Sequence, residues 1–144
     1  MRTRAAVQAR AAVVGICFVG AACAEYQPAG VETASVVISE PEADGTVMGV
    51  RLLVRGSVTE PNAKVMVLVH PLLTATWWVQ GTVLTDPDGS WQINVHLGTE
   101  TEGRGERFEL VAIIPKRRKK EGAVVDEIPE HFARSSRVTI RRNR

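Results

Sequence analysis

From residue 35 to the end of the chain, apolar and polar residues alternate in short runs of period two, and Gly, Pro, Asp and Asn separate the runs. "SWQINVHL" is the cleanest of these. Trp91, Ile93, Val95 and Leu97 fall on one side of an extended chain, and Ser90, Gln92, Asn94 and His96 on the other. "VRLLVRGSV" sets Val50, Leu52, Val54 and Val58 against Arg51, Leu53, Arg55 and Ser57. "SVVIS", "KVMVLVH", "ATWWVQGTVLT", "ERFELVAII" and "SRVTIRR" supply the other runs, with the turn-rich "EPEADGT", "TEPNA" and "DPDG" between them. In "DPDG", Pro87 sets its own backbone angle and Gly89 takes a positive one. Runs of roughly five to ten residues with a turn about every ten predict seven or eight antiparallel strands. No long stretch has a helical period; only "PEHFARS", near Pro129, reads as a short helical piece. Without crossover helices, the pattern predicts an all-β sandwich of two sheets.

The tryptophans sharpen this reading. Trp91 belongs inside by its alternation. Trp77 and Trp78 are adjacent, so a strand sends them to opposite sides. Trp77 shares a side with Val79, Gly81 and Val83 and is expected in the core; Trp78, with Thr76, Gln80 and Thr82, is expected outside. In "KVMVLVH", Val65, Val67 and Val69 oppose Met66 and Leu68; in "FELVAII", Phe108, Leu110, Ala112 and Ile114 oppose Val111 and Ile113. Met66, Leu68, Trp78, Val111 and Ile113 would then form a second apolar face, and strands apolar on both sides are covered on both. The cover is either the chain's own "EGAVVDEIPEHFARS", through Val124, Val125, Ile128 and Phe132, or a partner or ligand meeting Trp78, Met66 and Leu68.

The chain opens differently. Arg2, Arg4 and Arg10 precede the apolar "AAVVGICFVGAA", too short for the roughly twenty residues of a membrane span. This predicts a cleaved signal peptide at 1–22, a tether at 23–33 and one sandwich domain at 34–144. "VGAAC" resembles the lipobox of bacterial lipoproteins, with Gly20 where leucine usually stands. The resemblance implies a lipid on Cys23 and a membrane-anchored protein. Ala22-Cys23-Ala24 also fits ordinary signal peptidase, which would release a periplasmic or secreted form. Cys17 leaves with the signal, so Cys23 has no partner for an internal disulfide.

The sandwich resembles bacterial immunoglobulin-like domains, also called fibronectin-III-like. The Pro-x-x-x-Gly opening of "SEPEADGTV", the Asp-Gly-x-Trp hairpin of "DGSWQINVHLG" and the closing "SSRVTIRR" carry the likeness, which spans residues 35–142. It implies a seven- to eight-stranded antiparallel immunoglobulin-like sandwich acting as a spacer, stalk or adhesion module, without enzyme activity. The Cys…Trp…Cys spacing of antibody domains is absent, so no inter-sheet disulfide follows. A fold so widely reused does not by itself define a function.

Charge and chemistry add little to this. Residues 23–144 carry 15 basic and 16 acidic side chains, unevenly: 5 basic and 12 acidic up to residue 115, then 10 basic and 4 acidic. That polarity would steer an anionic partner toward the C-terminal part. "PKRRKK" places Lys116, Arg117, Arg118, Lys119 and Lys120 in a solvated loop, either a plain solubilising loop or a grip for lipopolysaccharide or anionic headgroups. Nucleic acid is the least favoured partner, since no aromatic is interleaved to stack on bases. His70, His96 and His131 lack metal-ligand spacing, and the aspartates of "DPDG" lack the further acids of a calcium loop. Glu100, Glu102, Glu106 and Glu109 alternate with Arg104 and Arg107 as a solvated, charge-balanced edge would. No nucleophile elbow or phosphate-cradling loop is present. Neither metal nor cofactor is expected. The sequence therefore points to a non-catalytic exported envelope protein, with membrane, envelope protein or glycan as partner. The alternatives are a carbohydrate-binding module that uses Trp78 and Gln80, or an accessory subunit of an envelope enzyme.

Overall fold

The computed structural model describes residues 33–144. The expected signal segment, Cys23 and the tether up to residue 32 lie outside the described residues. Ten strands follow in chain order. They are β1 (Val36–Glu40), β2 (Thr46–Val47), β3 (Arg51–Val58), β4 (Lys64–Pro71), β5 (Trp77–Leu84), β6 (Ser90–His96), β7 (Arg107–Pro115), β8 (Val124–Val125), β9 (His131–Arg134) and β10 (Val138–Arg142). They make two packed sheets, a small one of order β1-β3-β6 and a wide one of order β2-β10-β7-β4-β5-β8, with β9 also paired to β7. The fold is an all-β sandwich.

Three details depart from expectation. The strand number exceeds eight because β2 and β8 are two-residue pairings and β9 and β10 share one lane beside β7. Not every pairing is antiparallel, since β2 runs parallel to β10. The segment expected to be helical, "PEHFARS", is β9. Pairing of Ala133 with Ile114 and the Lys116 N–H···O=C Glu130 bond (2.9 Å) draw it out as strand. A local helical preference over so few residues is weak beside a ladder that satisfies the backbone.

The alternation read from the sequence builds the core between the sheets. Val54 and Val58 from β3, Trp91 and Val95 from β6, Val65, Val67 and Val69 from β4, and Phe108, Leu110 and Ala112 from β7 are all buried there. Trp91 is 3% exposed and lies over Gly56, its ladder partner. A Cβ at Gly56 would collide with the Val37 carbonyl and come within 2.6 Å of Trp91 Cε2, so the indole needs a residue without a side chain beneath it. The β5–β6 turn forms as its residues dictate: Gly89 sits at φ 82°, and its N–H donates to the Asp86 carbonyl at 2.9 Å. The two aspartates serve the turn itself. The Ser90 hydroxyl donates to Asp88 (2.6 Å) and Asp86 (3.3 Å), and the Ser90 N–H donates to Asp88 at 2.9 Å.

Central strands β4 and β7 are apolar on both faces, and both faces are covered. Met66, Leu68, Val111 and Ile113 are fully buried in a second cluster with Trp77 and Val79. Burying each such aliphatic chain contributes about 1.5–3 kcal/mol. The cover is the chain's own β7–β9 connection: Ala123, Val125 and Ile128 pack on the cluster. The Val79 N–H donates to the Ala123 carbonyl (2.9 Å) and the Gly122 N–H to the Val79 carbonyl (2.8 Å), fastening this flap to β5. Val124 and Phe132, expected in the cover, stay 50% and 66% exposed.

The lane of β9 and β10 is broken at Ser135, and a side chain repairs it. The buried Ser135 hydroxyl accepts from the Ala112 N–H at 3.0 Å and donates to the Ser136 carbonyl at 2.8 Å. Its own N–H donates to the Ala112 carbonyl at 2.9 Å. Ser135→Ala strands a buried amide and should lower unfolding free energy by about 1–3 kcal/mol in urea titrations, with Ser135→Thr much closer to native.

A second test concerns the turn. The side-chain and backbone hydrogen bonds from Ser90 hold the Asp88 carboxyl below the usual carboxylate range. A carboxyl lowered by folding stabilises the native state above its unfolded pKa, and that contribution disappears as pH falls through the lowered value. Ser90→Ala should move the Asp88 titration upward in an NMR pH series and flatten acid-dependent unfolding in that window.

Candidate functional site

One irregularity in β5 decides what the wide sheet shows to solvent. Val67 pairs with Gly81, but the next residue, Leu68, pairs with Val79, so Gln80 is an extra residue in a β-bulge. Gly81 there has φ 143°, a conformation side chains resist. The bulge shifts the alternation by one, so Gly81 and Val83 stay over the inter-sheet core while Trp77 and Val79 turn to the outer cluster. Trp78, opposite Val69 and Val124, turns to the inner side of the wide sheet. The sequence expectation holds for burial, with Trp77 5% and Trp78 44% exposed, and is corrected for the side on which each indole stands. Trp77 is buried outside the inter-sheet core, and Trp78 stands on the face opposite Met66 and Leu68. Those two residues lie fully buried under the flap and present no surface.

Trp78 is 44% exposed and walls a groove of about 530 Å³ at one end of the sandwich. Leu73 and Thr74 of the β4–β5 turn form one bank, and Thr99, Glu102 and Glu106 of the 97–106 loop form the other. Gln80 and His96 lie between them, with Val69 and Phe108 as a buried floor. The Gln80 side-chain oxygen accepts from the His96 N–H at 2.7 Å, so the bulge residue ties the two sheets together at the groove.

Both banks are held from beneath. Arg142, 3% exposed, donates from Nη1 to the carbonyls of Leu97 (2.8 Å), Thr99 (2.5 Å) and Glu102 (2.7 Å). Charge-assisted bonds to three carbonyls in a buried setting set the shape of the loop. The Thr99 hydroxyl adds a bond from the Glu102 N–H at 3.0 Å. On the other bank, His70 Nε2 lies 2.8 Å from the Thr74 carbonyl and its Nδ1 3.4 Å from Glu109 Oε2. The His70 ring also leans on Trp77, with centroids 4.8 Å apart, and the Arg137 guanidinium covers that indole at 5.5 Å.

The acidic edge read from the sequence is thus divided. Glu109 faces His70 and Arg137 (3.3 Å to the arginine), Arg107 reaches Asp44 (3.1 Å), and Arg104 donates to the Glu100 carbonyl (2.8 Å). Glu102 and Glu106 belong to the groove. Arg117, Arg118, Lys119 and Lys120 are exposed, and Lys116 approaches Glu130 at 4.0 Å. Arg118, Lys119 and Lys120 line a separate hollow of about 480 Å³ with Thr82 and Glu121. Among the described residues, no group of three or more His, Cys, Asp or Glu could hold a metal ion.

Of the partner-binding candidates, Trp78 and Gln80 lie together in the groove, and Met66 and Leu68 do not. Sequence reading missed Arg142 and the Glu102–Glu106 bank. Arg142 did leave a trace, since Val138, Ile140 and Arg142 alternate and the arginine takes an inward position in that series.

The fold and the site define a small all-β sandwich with a preshaped, polar-rimmed groove at one end. The chain matches no protein-family model, and a comparison with curated proteins found no match. Arg142→Met should lower stability by about 1.5–3 kcal/mol, the scale of a hydrogen bond to a charged group. It should also speed amide exchange in residues 97–103 well before it does so in β4 or β7.

Proposed function

We propose that this chain is an exported, lipid-anchored binding module of the bacterial cell envelope, built on an immunoglobulin-like sandwich and without enzyme activity. The basic start, the short apolar run and "VGAAC" support export and a lipid on Cys23. The strand order supports the immunoglobulin-like reading. The first strand is split between both sheets, β3 and β6 pair in the small sheet, and β4, β7 and β10 are neighbours in the wide one. This matches the two-sheet division of such domains.

The observation that carries the binding role is Trp78, the one half-exposed indole, set in a groove whose loop is clamped by a buried arginine. An aromatic wall with a few convergent polar groups on a rigid support is how binding sites are built. The cationic loop 116–120 supplies a second, electrostatic contact toward anionic envelope surfaces.

Two measurements test the reading. Intact-mass analysis of the membrane-extracted protein should find an N-terminus at Cys23 carrying a lipid; an unmodified residue 25 as the first residue removes the anchor. With the anchor abolished by Cys23→Ala, the purified chain should still sediment with isolated cell envelopes. Trp78→Ser should weaken that retention about tenfold, as loss of an interface anchor does. Equal retention of the two proteins would remove the groove as the binding surface.

A further inference from the structure

We propose that the groove beside Trp78 is a saccharide site, which holds a neutral oligosaccharide by stacking one pyranose ring on the exposed indole. The proposal rests on the binding-module reading and gives its ligand a chemical class.

The three indoles of the chain are unequal. Trp77 and Trp91 are 5% and 3% exposed, whereas Trp78 is 44% exposed. An indole face carries negative π density that attracts the weakly positive C–H groups of a sugar ring, so stacking suits a ligand with an apolar face and a polar edge. Behind the groove, Phe108 and Val69 are 1% and 2% exposed, which leaves a dry floor. Around it the lining is dense in hydrogen-bonding groups of both kinds. Glu102 and Glu106 can accept from hydroxyls, Thr99 adds a hydroxyl on the same bank, and Gln80 and His96 offer polar atoms between the banks. Among the described residues, neither Glu102 nor Glu106 is ion-paired, so their carboxylates are open to a ligand. The volume, about 530 Å³, falls within the range of small-ligand sites, roughly 300–1,000 Å³.

Other ligand classes match less of this lining. A phosphate-bearing ligand would set like charge against Glu102 and Glu106. An apolar peptide would desolvate the polar bank without pairing it. A quaternary ammonium would use the indole and the carboxylates but leave the hydroxyl and amide groups unused, and a single ring is no aromatic cage. A neutral sugar uses the aromatic plane, the acceptors and the donors together. The Arg142 clamp keeps the bank in place before binding, which reduces the ordering entropy that binding a flexible glycan would otherwise add.

Because two of the three tryptophans are buried, acrylamide quenching reads Trp78. The purified chain is titrated with cellohexaose, chitohexaose and maltohexaose, with choline as the competing class. At least one hexasaccharide should shield Trp78 saturably. Its affinity, read by calorimetry, should fall about tenfold or more in Trp78→Ala and less in Trp78→Phe, which keeps a flat ring. Glu102→Gln, on an exposed loop position, should weaken the same sugar while leaving the thermal midpoint at the native value, which guards against a Trp78 variant that misfolds. No shielding by any of the three sugars, shielding by choline alone, or full affinity in Trp78→Ala each overturns the saccharide site. If sugars fail while retention on envelopes still depends on Trp78, the ligand class is wrong and the binding module stands; if both assays ignore Trp78, both readings fall.

Discussion

Strands β4 and β7 carry apolar side chains on both faces, and neither face can be left to water. Val65, Val67, Val69, Phe108, Leu110 and Ala112 look one way; Met66, Leu68, Val111 and Ile113 look the other. The small sheet covers the first set, and the chain must find a second cover for the rest. It does so with the β7–β9 connection, which leaves β7, crosses to the far edge of β5 as β8, and returns as β9. This one requirement accounts for the width of the large sheet and for the position of the cationic segment 116–120 at the start of the flap. It also explains why the outer face, apolar in sequence, is closed to partners in the fold.

With that face closed, recognition moves to the end of the sandwich. The bulge at Gln80 converts a strand that would have shown Trp78 on the flap side into one that shows it on the sandwich side, beyond the core. A flat strand would have placed the indole under the flap as a further core residue. The extra residue also supplies the amide that reaches the His96 N–H and joins the sheets where the groove opens. The same local defect thus exposes the aromatic wall and stiffens the ground beside it.

Stiffness on the opposite bank comes from a buried charge. Arg142 has no carboxylate partner among the described residues; its charge is met by the carbonyls of Leu97, Thr99 and Glu102. Burying a guanidinium is unfavourable unless its donors are satisfied. The arrangement therefore holds only while the loop keeps its shape, which couples the last strand of the fold to the shape of the groove. His70 acts similarly for the β4–β5 turn by holding the Thr74 carbonyl.

Local sequence determined seven of the strands, β1, β3, β4, β5, β6, β7 and β10, the inward and outward sides of β3, β4, β6 and β7, the turn at residues 86–89, and the need for a second cover. Each follows from period-two alternation or from the backbone preference of Pro and Gly, and these act over a few residues. Tertiary structure decided the occupant of that cover, the side on which Trp77 and Trp78 stand, and the meeting of Trp78 with Glu102 and Glu106. A bulge inserts one residue into a register that alternation assumes unbroken, so every side assignment on one flank of it inverts. The β9 segment, short and locally helical in pattern, became strand because β7 offered it a ladder. Arg142 reads as one more cation until Val138 and Ile140 are seen to point the same way, because its partners are backbone carbonyls forty or more positions away and carbonyls leave no mark in a sequence.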